Sequence, residues 1–317
     1  MTEFHSVARR SGVLRGSPAR FAIALVLFTL SLAVFAQLQE RQVDILSEGV
    51  RIRGTVVYGD AKEAAKLPAI VMAHGWGGTA SLLRPQAERF AKAGYFVLVI
   101  DYRGWGGSDA RQVKSGDETR ALREVVDPLD QAADIFNAVH WIMGEPIVDT
   151  SRVGLWGTSF SGGLAVYVAA RDPRIRAVVS QVAWFGQPRR QMAPDALAKS
   201  QSEATRRARG ELGYPAPGAR EVGNLYGAPV RESFLRYAPI DDVASLRDCA
   251  LLIIDAENEE LYNVRDHGGL AFERASDPKR RVVIPGIAHY GIYGAAREQA
   301  ADLAIDWFDR HLKGAAH

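Results

Sequence analysis

The stretch Gly157–Gly163, with the sequence GTSFSGG, constrains the fold of this 317-residue chain more than any other. It follows Arg152–Trp156, a short run with strand character, and precedes Leu164–Ala170, whose composition is that of a buried helix. A strand, a tight turn and a helix in succession force the central Ser159 into a strained backbone conformation, and small residues must flank it. The pattern predicts a nucleophile elbow, whose usual form is G-x-S-x-G. Here Ser161 occupies the last position, and two glycines follow it.

Continuous apolar runs recur along the chain, as expected for strands that are buried on both faces of a parallel sheet. The runs are Ala69–Ala73, Phe96–Ile100, Arg176–Ala183, Ala250–Ile254 and Arg281–Ile284, preceded by an antiparallel pair at Val43–Leu46 and Val50–Tyr58. Helices are predicted at Ser81–Ala93, Asp127–Gly144, Val264–Ala275 and Gly291–Leu312. The predicted fold class is therefore α/β, a mostly parallel twisted sheet with helices on both faces.

Residues 187–236 interrupt this alternation of strands and helices. They hold a polar helical stretch, Pro194–Leu212, a Pro/Gly-rich stretch, Gly213–Pro229, and nine Arg or Lys against five Asp or Glu. An insertion of this size above the strand ends predicts a lid, which divides the core into residues 43–186 and 237–313. Its net positive charge could favour anionic substrates, but a solvated polar face explains the same charges.

The first 36 residues have the pattern of a targeting segment, in which arginines precede the short apolar run Phe21–Ala36. We expect a signal peptide and an exported protein, periplasmic or secreted, because the run is short for a membrane span. The alternatives are a misassigned start codon and an uncleaved anchor at residues 21–36, which would be the chain's one contact with a membrane. The leader holds four arginines against one glutamate and so contributes +3 to the formal net charge of +2. The rest of the chain is therefore close to neutral, at about −1, and no basic surface points to nucleic acid.

Further turns carry chemical groups to the same edge of the predicted sheet. After Ala69–Ala73 comes HGWGG, where the backbone N–H groups of Trp76 and Phe160 are predicted to form an oxyanion hole. The turn after Ala250–Ile254 carries two candidate acids, and the turn after Arg281–Ile284 carries a histidine. The carboxyl ends of parallel strands meet at one edge, so a serine, an acid and a histidine in this order are expected to converge.

With the motifs HGWGG, DYRGWGGS, GTSFSGG, ENEELYN and PGIAHYGIY, residues 43–313 resemble the α/β-hydrolase superfamily. Within it, the chain resembles a dienelactone-hydrolase-like branch, similar to fungal polyketide transferase-type hydrolases and more distantly to Xaa-Pro dipeptidyl-peptidases. The resemblance implies Ser159 as nucleophile, His289 as base and an acid aligned on Glu259, where the commoner pattern has Asp in a sequence like GENDEL. Asp255, at the strand end with a shorter side chain, is the alternative acid.

The predicted function is that of a serine hydrolase, carboxylesterase-like, which cleaves an ester or related acyl bond of a small molecule through an acyl-enzyme. Tyr102 and Tyr290 are candidates for the substrate pocket, although a packing role fits Tyr102 as well. No cofactor or metal is expected, because the histidines are scattered and no H-E-x-x-H or cysteine cluster occurs. The alternatives are a polyketide-type acyltransferase or thioesterase, an aminopeptidase-like acyl hydrolase, and a non-catalytic binding protein on the same scaffold. The sequence indicates neither the acyl group nor the oligomeric state.

Overall fold

The computed structural model describes residues 37–59, 66–115, 117–188 and 191–314. The predicted leader, residues 1–36, lies outside the described residues. No helix within the described ranges is long and apolar enough to cross a membrane.

Twelve strands occur in the described ranges. They are β1 (Gln39–Ser47), β2 (Val50–Tyr58), β3 (Leu67–Ala73), β4 (Phe96–Ile100), β5 (Gln112–Ser115), β6 (Glu118–Ala121), β7 (Val125–Val126), β8 (Val148–Thr158), β9 (Ile175–Gln181), β10 (Ala228–Pro229), β11 (Ala250–Ala256) and β12 (Lys279–Ile284). Eight of them form one sheet in the order β1-β2-β4-β3-β8-β9-β11-β12. In this sheet β2 runs antiparallel to both of its neighbours, β1 and β4. Each further pair of adjacent strands, from β4–β3 to β11–β12, is parallel. The predicted mostly parallel sheet is confirmed.

Eight α-helices accompany these strands in the described part of the chain. They are α1 (Arg84–Lys92), α2 (Pro128–Met143), α3 (Phe160–Ala169), α4 (Pro194–Ala208), α5 (Arg231–Phe234), α6 (Pro239–Asp242), α7 (Leu270–Arg274) and α8 (Arg297–Phe308). Helix α2 begins where a cap followed by proline predicts, because the Asp127 carboxylate accepts hydrogen bonds from the N–H groups of Leu129 and Asp130. The predicted lid segment contains α4, β10 and α5.

The core lies in two layers, one on each face of the sheet. Along β3, the side chain of Val71 belongs to the layer shared with α2 and α3, whereas Ile70 and Met72 belong to the layer shared with α1 and α8. These β3 side chains are fully buried. Burial on both faces explains why the strand is a continuous apolar run rather than an alternating one.

The predicted helix over Gly291–Leu312 is wrong at its amino-terminal end. A 3₁₀ turn covers His289–Tyr293, the backbone then departs from helical geometry at Gly294 (φ −119°, ψ −100°), and α8 begins only at Arg297. The Ala296 N–H donates to the carbonyl of Gly291 at 3.1 Å, which closes the turn. The first residues of the predicted helix therefore belong to the loop that follows β12.

Candidate active site

Ser159 occupies a sharp turn between β8 and α3. Its backbone has φ 55° and ψ −123°, an unfavourable conformation for a residue with a side chain. Two hydrogen bonds to the end of β9 and the loop after it hold this conformation. The Ser159 N–H donates to the Gln181 carbonyl at 2.8 Å, and the Ser159 carbonyl accepts from the Trp184 N–H at 3.1 Å. A β-carbon at Gly157 would lie 2.2 Å from the Ser161 carbonyl oxygen, so glycine is required there.

Ser161, the departure from the usual elbow pattern, has a structural role in the turn. Its hydroxyl is fully buried, donates to the Ala73 carbonyl at 2.7 Å and accepts from the Thr158 N–H at 2.7 Å. This hydroxyl therefore joins the elbow to the end of β3. The glycine that follows it, Gly162, lies where a β-carbon would come within 2.4 Å of the Ala183 β-carbon, so helix and strand approach closely at that next position.

The structure brings the predicted serine, histidine and glutamate within hydrogen-bonding distance of one another. His289 Nε2 lies 3.1 Å from Ser159 Oγ, and His289 Nδ1 lies 2.8 Å from Glu259 Oε2. The His289 and Glu259 side chains are each 2% exposed. The second carboxylate oxygen of Glu259 accepts from the Leu261 N–H at 3.0 Å. The imidazole is thus held between a hydroxyl and a carboxylate at the carboxyl edge of the sheet.

Asp255, the alternative acid, contacts a different partner. Its carboxylate is buried at the end of β11 and accepts a hydrogen bond from Arg281 Nε at 2.7 Å. Burial raises the pKa of Asp255 to about 6, and the Arg281 guanidinium opposes part of that rise. A β-carbon at Gly268 would meet this carboxylate at 2.2 Å, so Asp255 is enclosed on that side as well. Of the two candidates, Glu259 is therefore the one that contacts His289.

The loops after β11 and β12 are joined by contacts that the sequence analysis missed. The carboxylate of Glu260 accepts from the backbone N–H of His289 at 2.6 Å, and that of Glu257 accepts from the backbone N–H of Gly286 at 2.7 Å. The Asn258 N–H also donates to the Ile287 carbonyl at 2.9 Å. Glu259 and Glu260 together therefore hold both the ring and the backbone of one histidine. The only signal in the sequence was the density of glutamates in ENEE.

The two predicted oxyanion donors flank Ser159. Phe160 is the first residue of α3, so its N–H lacks an acceptor within the helix. Trp76 follows β3 in the HGWGG turn, and a β-carbon on its neighbour Gly75 would lie 3.0 Å from the Ser159 β-carbon. Asp101 holds this turn from behind, because its carboxylate accepts from the Ala80 N–H at 2.7 Å. The HGWGG turn therefore packs directly against Ser159, as the predicted pair of donors requires.

Neither candidate pocket tyrosine lines the cavity beside Ser159. Tyr102 is fully buried behind the site, and its ring centroid lies 4.5 Å from that of His74. Tyr290 is 58% exposed, and its ring packs against the outer side of the site with its centroid 5.3 Å from that of His289. Strand ends alone did not distinguish a side chain that faces the cavity from one that turns into the core.

The cavity beside Ser159 has a volume of about 430 Å³ and combines walls from the core and from the insertion. Core residues Trp76 and Phe160 form one side, and Ala196 of α4, Leu225 and Phe234 of α5 form another. The side chain of Trp76 is tied to the insertion, since its Nε1 donates to the Gly227 carbonyl at 2.9 Å. The cavity wall is therefore shared between the sheet edge and residues 187–236.

Comparisons with known proteins agree with this architecture. The family model for X-Pro dipeptidyl-peptidase (S15 family) matches residues 48–205. An uncharacterised 31.7 kDa protein of Escherichia coli is 28% identical over 303 residues, which cover 84% of this chain and 98% of the relative. The thiohydrolase aneE of Aspergillus aculeatus is 34% identical over 154 residues, which cover 48% of this chain and 44% of that protein.

Solved structures show the same fold. The α/β-hydrolase GrgF from a Penicillium species superposes with a TM-score of 0.67 at 21% identity, over 87% of this chain and 99% of that one. Dienelactone hydrolases are also among the structural neighbours. The chain therefore has the α/β-hydrolase fold. Parts of its sequence are similar to the S15 peptidase family model and to fungal thiohydrolases and acyltransferases.

Proposed function

We propose that this protein is a serine hydrolase that cleaves a carboxylic ester or a related acyl bond through an acyl-enzyme formed on Ser159. The observation that carries the proposal is the pair of distances on the two sides of one imidazole. These are 3.1 Å from His289 Nε2 to Ser159 Oγ and 2.8 Å from His289 Nδ1 to Glu259 Oε2. A hydroxyl, an imidazole and a carboxylate in this relation form the catalytic arrangement that recurs on unrelated folds.

In this proposal His289 removes the proton from Ser159 as the hydroxyl oxygen attacks the acyl carbonyl. Glu259 fixes the tautomer with hydrogen on Nδ1 and stabilises the imidazolium that forms. The imidazolium then protonates the departing alkoxide or thiolate. In the second half-reaction a water molecule gives a proton to His289 and its hydroxide to the acyl carbon. The bond between the acyl carbon and Ser159 Oγ then breaks, His289 returns the proton to Oγ, and the carboxylic acid leaves.

The N–H groups of Trp76 and Phe160 have a matching task. A tetrahedral intermediate places negative charge on the former carbonyl oxygen, and preorganised backbone donors stabilise that charge. Loss of one such donor costs roughly 3–4 kcal/mol of barrier in a well-studied serine protease. The strained conformation of Ser159 supports this role, because it holds the hydroxyl beside the first N–H of α3.

A fluorophosphonate probe tests the proposal directly, because it modifies only an activated nucleophile. We expect the purified protein to be labelled on Ser159 and the Ser159→Ala variant to remain unlabelled. Ser245→Ala, which removes an exposed serine far along the chain, is the matched control and should be labelled like the wild type. Labelling of Ser159→Ala, or no labelling of a folded wild-type protein, would leave only a binding protein on a hydrolase scaffold.

Thioester hydrolysis or acyl transfer is the second candidate, and the matches to a thiohydrolase and to an acyltransferase favour it. Both reactions use the same acyl-enzyme and differ in the bond that is broken or in the acceptor. A comparison of kcat/KM for a matched oxygen ester and thioester shows which leaving group the enzyme prefers. Formation of a new ester in the presence of an added alcohol separates transfer from hydrolysis.

Export remains part of the proposal. The pattern of arginines followed by an apolar run in residues 1–36 supports a leader that is removed after translocation. Expression of the full chain followed by mass spectrometry of the mature amino terminus tests this. A terminus shortly after Ala36 in a periplasmic or secreted fraction is expected, and an intact terminus in the membrane fraction would indicate an anchor instead.

A further inference from the structure

One wall of the cavity beside Ser159 consists of aromatic rings that contact one another, and aliphatic side chains such as Val222 and Leu225 line much of the rest. The ring centroids of Trp76 and Phe160 are 5.3 Å apart, those of Phe160 and Phe234 are 6.1 Å apart, and those of Trp184 and Phe234 are 5.9 Å apart. Tyr237 and Tyr262 extend the same wall. Because the rings support each other in edge-to-face and tilted pairs, the wall is preformed rather than assembled by the substrate.

The one charged side chain that lines this cavity among the described residues, Arg231, is paired with carboxylates outside the cavity. No Asp or Glu lines it among the described residues, and Arg231 is the one described cation in its wall. Arg231 Nη2 lies 2.7 Å from Glu221 Oε2, and its Nε lies 3.5 Å from Glu203 Oε1. Two carboxylates therefore face a single guanidinium, which leaves Arg231 without a free positive charge for a substrate.

From this wall and this pairing we infer that the cavity is an acyl site for uncharged, apolar acyl groups. The inference rests on the proposed acyl-enzyme chemistry and adds the substrate class. A carboxylate or an ammonium group at the far end of the acyl chain would lose water and find no unpaired charged partner among the described lining residues, which is costly. An aliphatic chain or an aryl ring instead removes apolar surface from water at both sides of the contact. Within the described part of the insertion, Arg207, Arg209 and Arg231 pair with glutamates of the same segment.

A matched series of p-nitrophenyl esters tests the inference. The acetyl, hexanoyl, adipoyl (half-acid) and ε-aminocaproyl esters share a leaving group and differ in the acyl group, and the last three have similar lengths. We expect kcat/KM for the hexanoyl ester to exceed that for either charged ester by about tenfold or more, and to exceed that for the acetyl ester as well. An adipoyl or ε-aminocaproyl ester that is cleaved as fast as the hexanoyl ester would overturn the inference.

Two variants test whether the aromatic wall and the pairing of Arg231 cause the expected preference for uncharged, apolar acyl groups. Phe234→Ala removes a ring of the insertion that contacts four other rings, and we expect it to lower the ratio of kcat/KM for hexanoyl to acetyl esters by about tenfold. Glu221→Gln removes the nearer carboxylate on Arg231, and we expect it to raise the ratio for adipoyl to hexanoyl esters about threefold. Glu211→Gln is the control, because Glu211 pairs with Arg209 in the same insertion and does not line the cavity.

The outcomes separate this inference from the proposed function. If the acetyl ester is cleaved in a Ser159-dependent way while chain length and charge have no effect, the acyl-site inference fails and the hydrolase survives. If no ester is cleaved and the fluorophosphonate probe does not react, the proposed function fails first. An unchanged adipoyl ratio in Glu221→Gln would also count against the pairing of Arg231 as the reason for the preference.

Discussion

At the scale of single residues, the choice between two acids decides how His289 is oriented. Glu259 contacts the His289 ring at 2.8 Å, whereas the Asp255 carboxylate is engaged by Arg281. We expect Glu259→Gln to lower kcat by roughly 10³- to 10⁴-fold, because an amide can favour the wrong tautomer of the imidazole. Steady-state kinetics on a p-nitrophenyl ester measure this loss.

Asp255→Asn is the control for that experiment. We expect it to change kcat by less than about threefold, since Asp255 does not touch the histidine, but to lower the melting temperature because Arg281 loses its buried partner. The opposite ranking of the two variants in kcat would assign the acid to Asp255.

Ser161 makes a second prediction at this scale. Ser161→Gly restores the usual G-x-S-x-G pattern, yet it removes the buried hydroxyl that bonds to Thr158 and Ala73. We expect a loss of about 1–3 kcal/mol in the free energy of unfolding, because a buried N–H and a buried carbonyl are left without partners. Urea denaturation checks this value. A Ser161→Gly variant as stable as the wild type would mean that the hydroxyl contributes nothing to the turn.

At the scale of elements, the loop after β11 holds the loop after β12 in place. Glu260 binds the His289 N–H and Glu257 binds the Gly286 N–H, and both glutamates are exposed. We expect Glu260→Ala to lower kcat by roughly tenfold with little change in KM, because the loss of about one hydrogen bond loosens the backbone that carries the imidazole. Glu260→Gln keeps an acceptor oxygen and should recover most of the activity.

Glu257→Ala is the matched variant, since it removes the same kind of bond three residues before the histidine. Its kcat should stay within about twofold of the wild type, given that Gly286 carries no reacting group. If both alanine variants fall equally, Glu260 would have only a general role in holding the two loops together.

The same elements show what could be predicted from the sequence. Ser159, Glu259 and His289 each follow a buried apolar strand, and the parallel sheet places the ends of β8, β11 and β12 at one edge. Their approach was predictable because strand ends and chain order fix position to within a loop length. The Glu260 contact was not, because it depends on how two loops 29 residues apart fold against each other. Of the two roles open to Tyr102, the structure shows the packing role, and the sequence did not decide between them because a turn sets the direction of its ring.

At the scale of the whole molecule, the site is built from parts of different stability. Strands β3 and β8 lie at the centre of the sheet and lead into Trp76 and Ser159, and both faces of β3 and of residues 153–158 of β8 are buried. Much of the cavity wall comes instead from residues 187–236, where helix α4 buries only Ser200 and is joined to α5 through the ion pair between Arg207 and Glu232. In the proposed enzyme, the reacting groups therefore belong to the buried core, and the residues that would select the substrate belong largely to an insertion outside the sheet.

Global stability is expected to fall in mild acid because of His267. This histidine is buried, its Nδ1 accepts from the Phe185 N–H at 3.1 Å, and burial lowers its pKa to about 4, partly opposed by Asp266 and Glu259. An unfolded histidine titrates near pH 6.5, so between these two values the unfolded chain binds more protons and stability decreases as the pH falls.

The wild type should lose about 2 kcal/mol more than His267→Gln between pH 7 and pH 5, because glutamine can accept the Phe185 bond and cannot be protonated. Urea denaturation of both proteins at the two pH values measures the difference, in which the opposite contribution of Asp255 cancels since both proteins contain it. Equal losses in the two proteins would show that another group controls the acid sensitivity of the fold.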